Sequence, residues 1–262
     1  MKTILMRKKN VPQSLWLEAV SRIEELVSRE ELDRAVSEAL SDIREVTQNI
    51  KVAYCWSGGK DSIVLSDICR TAGITNCMFA HTKLEYPAYL NWCMANMPKG
   101  CEVICTGQDI HWLAKHPEMV FPTKRELVDA WIVGVQRKAF TEYFFRHGLD
   151  MILVGHRKAD GNFVGKNNII RKKSGETRYS PLADWPHEMV LAYIHYHKLA
   201  MPPIYTWKDG FQQGTHAWPS RVHMESVDQG YREVFEIDQS IVREAAKYIE
   251  SARRFLKEVT GA

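Results

Sequence analysis

The apolar positions change period along the chain. Over residues 13–47 they recur every three or four places. Leu15, Trp16, Ala19, Ile23 and Leu26 form one stripe, and Leu32, Val36, Leu40 and Ile43 a second. That spacing predicts one or two amphipathic helices. From residue 51 short apolar runs alternate with helical stretches. Strands are expected near 51–56, 75–81, 101–105 and 150–155, and helices near 61–72, 87–97, 123–147 and 186–198. Such alternation predicts a parallel sheet covered on both faces, ordered by right-handed crossovers. Residues 158–180 read as a basic loop with Lys158, Lys166, Arg171, Lys172, Lys173 and Arg178. A solvated surface and a lid closing on phosphates are both open readings of it. A last amphipathic helix is expected over 232–258, with Val234, Ile237, Ile241, Ala245, Tyr248, Ile249, Ala252 and Phe255 on its apolar side. The resulting division is a helical segment at 1–47, a strand–helix alternating domain at 48–207 and a loop-and-helix extension at 208–262.

Composition narrows this only a little. The 262 residues suffice for one large domain or a domain with an appendage. A net charge of +3 does not by itself argue for nucleic acid. No stretch approaches the ~18 consecutive apolar residues of a membrane span. The first ten residues are basic but lack the apolar core of a signal peptide, and six cysteines without an export signal point to the cytoplasm.

The chemistry is concentrated in Ser57-Gly58-Gly59-Lys60-Asp61-Ser62, which follows an apolar run and opens a helical stretch. A strand ending in a small-residue turn at a helix N-terminus is suited to hold phosphate. The glycines admit close backbone approach, the helix start offers N–H donors, and Lys60 adds charge. The spacing is not that of a Walker A loop, and the near imitation from Gly161 to Asn167 lacks both spacing and hydroxyl. No strand is followed by Gly-x-Gly-x-x-Gly.

Ser-Gly-Gly-x-Asp-Ser resembles the PP-loop of the N-type ATP pyrophosphatases, a superfamily that includes the phosphoadenylyl-sulfate reductases and the ATP sulfurylase small subunit. Three later segments follow the reductase branch in order. Residues 79–87 resemble its Asp-Thr-Gly-x-Glu-Phe-Pro segment through Thr82, Glu85, Tyr86 and Pro87, with His81 and Lys83 in place of the Asp and Gly. Residues 151–157 resemble its Thr-Gly-x-Arg strand end through Gly155 and Arg157. Residues 179–185 and 201–205 resemble its Pro-Leu-x-x-Trp helix start and the Tyr after it, with Asp184 as the expected N-cap.

The resemblance implies a Rossmann-like α/β fold of the adenine nucleotide alpha-hydrolase type, with helical additions at both ends. It implies an enzyme that uses ATP and cleaves between the α- and β-phosphates, by sulfurylase-like adenylyl transfer. Ser57, Gly58, Gly59 and Ser62 would bind pyrophosphate, with Thr82 and Gly155 beside the nucleotide. Lys60 would stabilise the leaving group, Asp61 would hold the loop or Mg²⁺ brought in by the nucleotide, and Arg157 would grip the acceptor or α-phosphate. These positions all fall at strand C-termini, where such sheets bind ligands.

The alternatives use the same fold. One is a reductase of PAPS or adenylyl-sulfate, although none of the six cysteines lies beyond Cys105 and the C-terminal nucleophile of those reductases is missing. The other is a non-catalytic nucleotide-binding regulatory protein. There is no Cys-x-x-Cys, so no iron–sulfur cluster is expected. Cys55, Cys69, Cys77, Cys93, Cys101 and Cys105 read as core. The histidines, His195, His197, His216 and His223 included, form no metal set. Arg221 is a further candidate ligand. A protein partner or homo-oligomer is compatible with the last helix, and nucleic acid with the basic loop.

Overall fold

The structure is a computed structural model and describes residues 1–134, 138–221 and 224–261. His223 lies outside the described residues. Among the described residues the strands are β1 (Val52–Cys55), β2 (Cys77–His81), β3 (Glu102–Cys105), β4 (Met151–Leu153), β5 (Ile169–Arg171) and β6 (Thr177–Tyr179). They form one sheet in the order β3-β2-β1-β4-β6-β5. β1 pairs in parallel with β2 and β4, and β4 pairs in parallel with β6. β5 runs antiparallel to β6. The mixed, mostly parallel sheet flanked by helices is the expected α/β architecture. The order reverses between β1 and β4, which creates the crevice where open α/β sheets bind ligands.

Two of the expectations for irregular or single elements change. The 158–180 segment is not simply a loop: it carries β5 and β6. These strands are only three residues long, too short to leave an apolar period to read. The expected terminal helix is three helices, Val227–Ile237, Gln239–Ala245 and Glu250–Thr260, broken at Asp238 and Ile249. Part of the expected 123–147 helix lies outside the described residues, and the described parts are Arg125–Ile132 and Lys138–Arg146.

The chain divides into two compact units. The first comprises Met1–Phe79, Trp92–Val103 and Phe140–Gly214. Here the N-terminal segment forms α1 (Gln13–Ser21), α2 (Ile23–Leu26) and α3 (Arg29–Val46). α3 starts with a capping box: Glu31 N–H donates to Ser28 Oγ, and Ser28 N–H donates to the Glu31 carboxylate. α4 (Lys60–Thr71) packs on β1, on α3 and on a buried apolar helix at His187–Tyr196. That buried helix has Pro186 as N-cap rather than Asp184, because Asp184 turns outward to Lys158. Trp16 of α1 stacks on Phe211 at 4.3 Å.

The second unit comprises Ala80–Asn91, Ile104–Ala139 and Thr215–Ala262. Its core is aromatic. Phe121 meets Tyr231 edge-on at 5.0 Å, and Tyr231 packs on Phe255 at 5.7 Å. Gly230 makes this possible, since a Cβ there would lie 2.5 Å from the Phe121 ring. Among the described residues no helix is long and apolar enough to cross a membrane.

Candidate active site: a charge cluster at the loop after β1

The turn after β1 is built from side chains that bond within it. Ser57 N–H donates to Ser62 Oγ at 3.0 Å, and Ser62 Oγ–H donates to Gly59 O at 2.9 Å. Gly58 has φ +65°, and a Cβ there would lie 2.7 Å from Cys93 Sγ, so both backbone and space require glycine. Ile63 N–H makes an α4 bond to Gly59 O. The N–H groups before it have no intrahelical acceptor, as at every helix start. Lys60 N–H donates instead to Tyr205 Oη at 2.9 Å. Tyr205 therefore caps the loop's helix.

The two cations of the motif set are buried. Lys60 and Arg157 are 1% and 0% exposed. Lys60 Nζ lies 2.7 Å from Asp61 Oδ2 and 3.4 Å from Asp160 Oδ1. Arg157 Nε lies 2.7 Å from Asp61 Oδ1, an ion pair whose angle falls short of a hydrogen bond, and its Nη2 is 2.9 Å from Asp160 Oδ2. Nη1 donates to Trp185 O at 2.9 Å. Burial alone would raise the Asp61 carboxyl, but Arg157 and then Lys60 hold it well below the usual carboxylate range. Lys60 also sits 5.4 Å from the Phe211 ring centre.

His187 completes the cluster. Its Nδ1 lies 2.9 Å from Arg157 Nη2. Arginine only donates, so Nδ1 accepts and the proton sits on Nε2, a buried donor without a hydrogen-bond partner among the described residues. Burial, Arg157 and Lys60 lower the imidazole to about 3, so it is neutral. Asp160 and His187 carry no motif, and sequence reasoning missed both. Gly155 was expected to admit the nucleotide. The structure shows what it admits within the protein: a Cβ there would come within 3.2–3.3 Å of Asp61 and Ser62. The strand end and the helix start touch through it.

The first unit thus gathers Ser57, Gly58, Gly59, Lys60, Asp61, Ser62, Gly155 and Arg157 at one corner. Asp61 and Asp160 are both engaged by Lys60 and Arg157, so they do not offer the free oxygens a protein-held Mg²⁺ needs. Among the described residues no group of three or more His, Cys, Asp or Glu is placed to hold a metal. Arg178, expected on the basic loop, is 5% exposed and pairs with Glu176. Burial pushes the Cys55, Cys69 and Cys77 thiols up. Cys93 is buried as expected, whereas Cys101 is half-buried and Cys105 exposed.

Thr82 and Arg221 belong to the second unit. Thr82 N–H and Oγ–H both donate to Glu85 Oε1 at 3.1 Å. Burial raises the Glu85 carboxyl to about 7 against those bonds, and among the described residues its Oε2 has no hydrogen-bond partner. Arg221 is bound to Glu233 at 2.7 Å and to Tyr86 Oη at 3.3 Å, which explains its burial. A cavity of about 310 Å³ in this unit, bordered by Trp112, Met119 and Trp131, is lined by none of the expected site residues.

A family model described as the phosphoadenosine phosphosulfate reductase domain matches residues 51–213. The chain belongs to that family. It therefore falls in the PP-loop ATP pyrophosphatase superfamily. No curated protein matches the chain. Among solved structures, the phosphoadenylyl-sulfate (PAPS) reductase from Candida auris, determined as a phosphate complex, matches with a TM-score of 0.51 and 17% identity, covering 69% of this chain and 92% of that one. That likeness supports the fold. The family match spans the loop, Gly155, Arg157, the His187 helix and Tyr205, but none of the N-terminal helices.

Proposed function

We propose that the protein is a PP-loop enzyme that binds an adenine nucleotide by its anionic tail and cleaves ATP between the α- and β-phosphates. The observation that carries this reading is the loop after β1. It combines a glycine at φ +65°, a helix start and a buried lysine at the switch point of the sheet. Ser57, Gly58, Gly59 and Ser62 would bind the pyrophosphate. Arg157 positions Asp61 and Asp160 and, with Lys60, sets the field of the corner. Mg²⁺ would travel with the nucleotide. The enzyme is expected in the cytoplasm.

A second reading is reduction of a sulfonucleotide, favoured by the family match. It needs a thiolate nucleophile. Cys55, Cys69 and Cys77 are held as thiols by burial, and there is no cysteine beyond Cys105. On this reading the thiol is supplied by a separate protein. The test is turnover of ATP labelled at the α-phosphate, with Lys60→Ala beside the wild type. Labelled AMP or an adenylylated product, falling at least ~10²-fold in the variant, supports the proposal. Unchanged ATP together with sulfite released from adenylyl-sulfate and a dithiol protein would replace it with the second reading.

A further inference from the structure

Three cations converge on the loop corner and two carboxylates answer them. The third cation is Lys8, from the N-terminal segment outside the matched residues 51–213. Its short 3-10 turn, Lys8–Asn10, packs against the turn at Lys158–Asp160 and against the short helix Gly210–Gln213. The Lys8 ammonium lies 2.7 Å from the point where a Cβ on Gly214 would sit, so the glycine leaves room for it.

The segment is anchored by buried contacts. Glu188, 0% exposed, accepts from the N–H groups of Ile4 and Leu5 at 2.7 and 2.6 Å. Leu5 and Val11 are buried, and Gln212 Nε2 donates to Val11 O at 3.0 Å. Gln13 donates to Tyr205 O at 2.8 Å, the same tyrosine whose hydroxyl holds the Lys60 N–H.

Lys60 and Arg157 each find carboxylates, whereas among the described residues the Lys8 ammonium makes no hydrogen bond or ion pair. Its surroundings are Lys60 and Asp61 from α4 and Arg157 and Asp160 from the turn after β4. Burial, and next the Lys60 charge, pull it down to about 8, a cost that an arriving anion would relieve.

We propose that Lys8 is an anion-binding residue of the PP-loop site, a cation brought from outside the family domain to contact the anionic tail of the bound nucleotide. The assignment rests on the nucleotide-binding reading above.

The test is calorimetric titration of wild type, Lys8→Met, Lys8→Arg and Lys60→Ala with ATP at pH 7.5 and pH 9. At pH 7.5 Lys8→Met is expected to bind about tenfold more weakly, as for a lost charge-assisted contact, with its melting temperature unchanged. Lys8→Arg is expected to retain affinity. Wild type should weaken between the two pH values as Lys8 loses its proton. Lys8→Arg should weaken less, since arginine stays charged. Neither Asp61 nor the neutral His187 changes charge in that window.

Wild-type affinity in Lys8→Met, with binding lost in Lys60→Ala, would overturn the assignment and leave the site reading standing. Affinity lost equally in Lys8→Met and Lys8→Arg, with lowered melting, would also overturn it, in favour of a purely structural lysine. Failure of wild type to bind ATP would overturn the site reading, and the Lys8 assignment with it.

Discussion

The two units handle a shielded carboxyl in opposite ways. In the first, Asp61 stays ionised because Arg157 and Lys60 stand within 2.7 Å of its two oxygens. In the second, Glu85 is given only the neutral donors of Thr82, and its carboxyl rises to about 7. Burial penalises charge in both places. What decides the outcome is whether a cation or a hydroxyl is the neighbour. Charge can therefore be stored at the loop corner, while Glu85 exchanges a proton near neutral pH.

The largest expected effect breaks the first half of the contrast. Arg157→Met leaves Asp61 and Asp160 paired with Lys60 alone in a buried site. It should lower stability by about 3–5 kcal/mol in urea denaturation, the usual result of orphaning a buried charge. A loss under about 1 kcal/mol would show that the cluster is not held by pairing. The pH dependence has a definite sign. Asp61 is depressed when folded, so its contribution is present above the unfolded value near 4 and is lost as pH falls through that range. Asp61→Asn should flatten that acid limb.

Glu85 sharpens the other half. Its folded value of about 7 lies above the ordinary 4.5, so the folded state holds the extra proton between those limits. Stability should fall as pH rises from 4.5 toward 7 and level off above. Glu85→Gln should remove that fall, as read from the difference between the two denaturation curves. Parallel curves would show that Glu85 is not the protonated group.

Smaller effects probe the neutral donors. Tyr205→Phe strips the acceptor from the Lys60 N–H and should cost about 1–3 kcal/mol, together with weaker ATP binding. Ser28→Ala removes an exposed cap and should cost about 1 kcal/mol with ATP binding unchanged. A change in binding there would mean that the helical segment reports to the site more broadly than through Lys8.

The sheet and the loop were legible because they are local. An apolar run, two glycines and a helical period lie within twenty residues, and β1, β2, β3, β4 and α4 fall where the pattern places them. The rest of the site is assembled by folding. Glu188 meets Leu5 across 183 positions, Tyr205 meets Lys60 across 145, and Arg157 meets His187 across 30. No spacing rule spans such distances. One signal was present in the sequence: Glu188 opens the apolar run from Met189 to Ile194, and a carboxylate beside a buried helix face requires donors. Arg157 was expected at the site, and the structure places it against Asp61 and Asp160. What the motif cannot show is that its guanidinium is already occupied from within.

Glu188 bears on how self-sufficient the matched family stretch is. Residues 51–213 include this carboxylate but not the two amides that solvate it. A fragment trimmed to the family boundaries would expose a shielded negative charge beside Val190 and Leu191 with its donors cut away. In this protein the first dozen residues act as a covalently attached counterpart of the domain, so the smallest autonomous folding unit is expected to be longer than the domain that sequence kinship outlines.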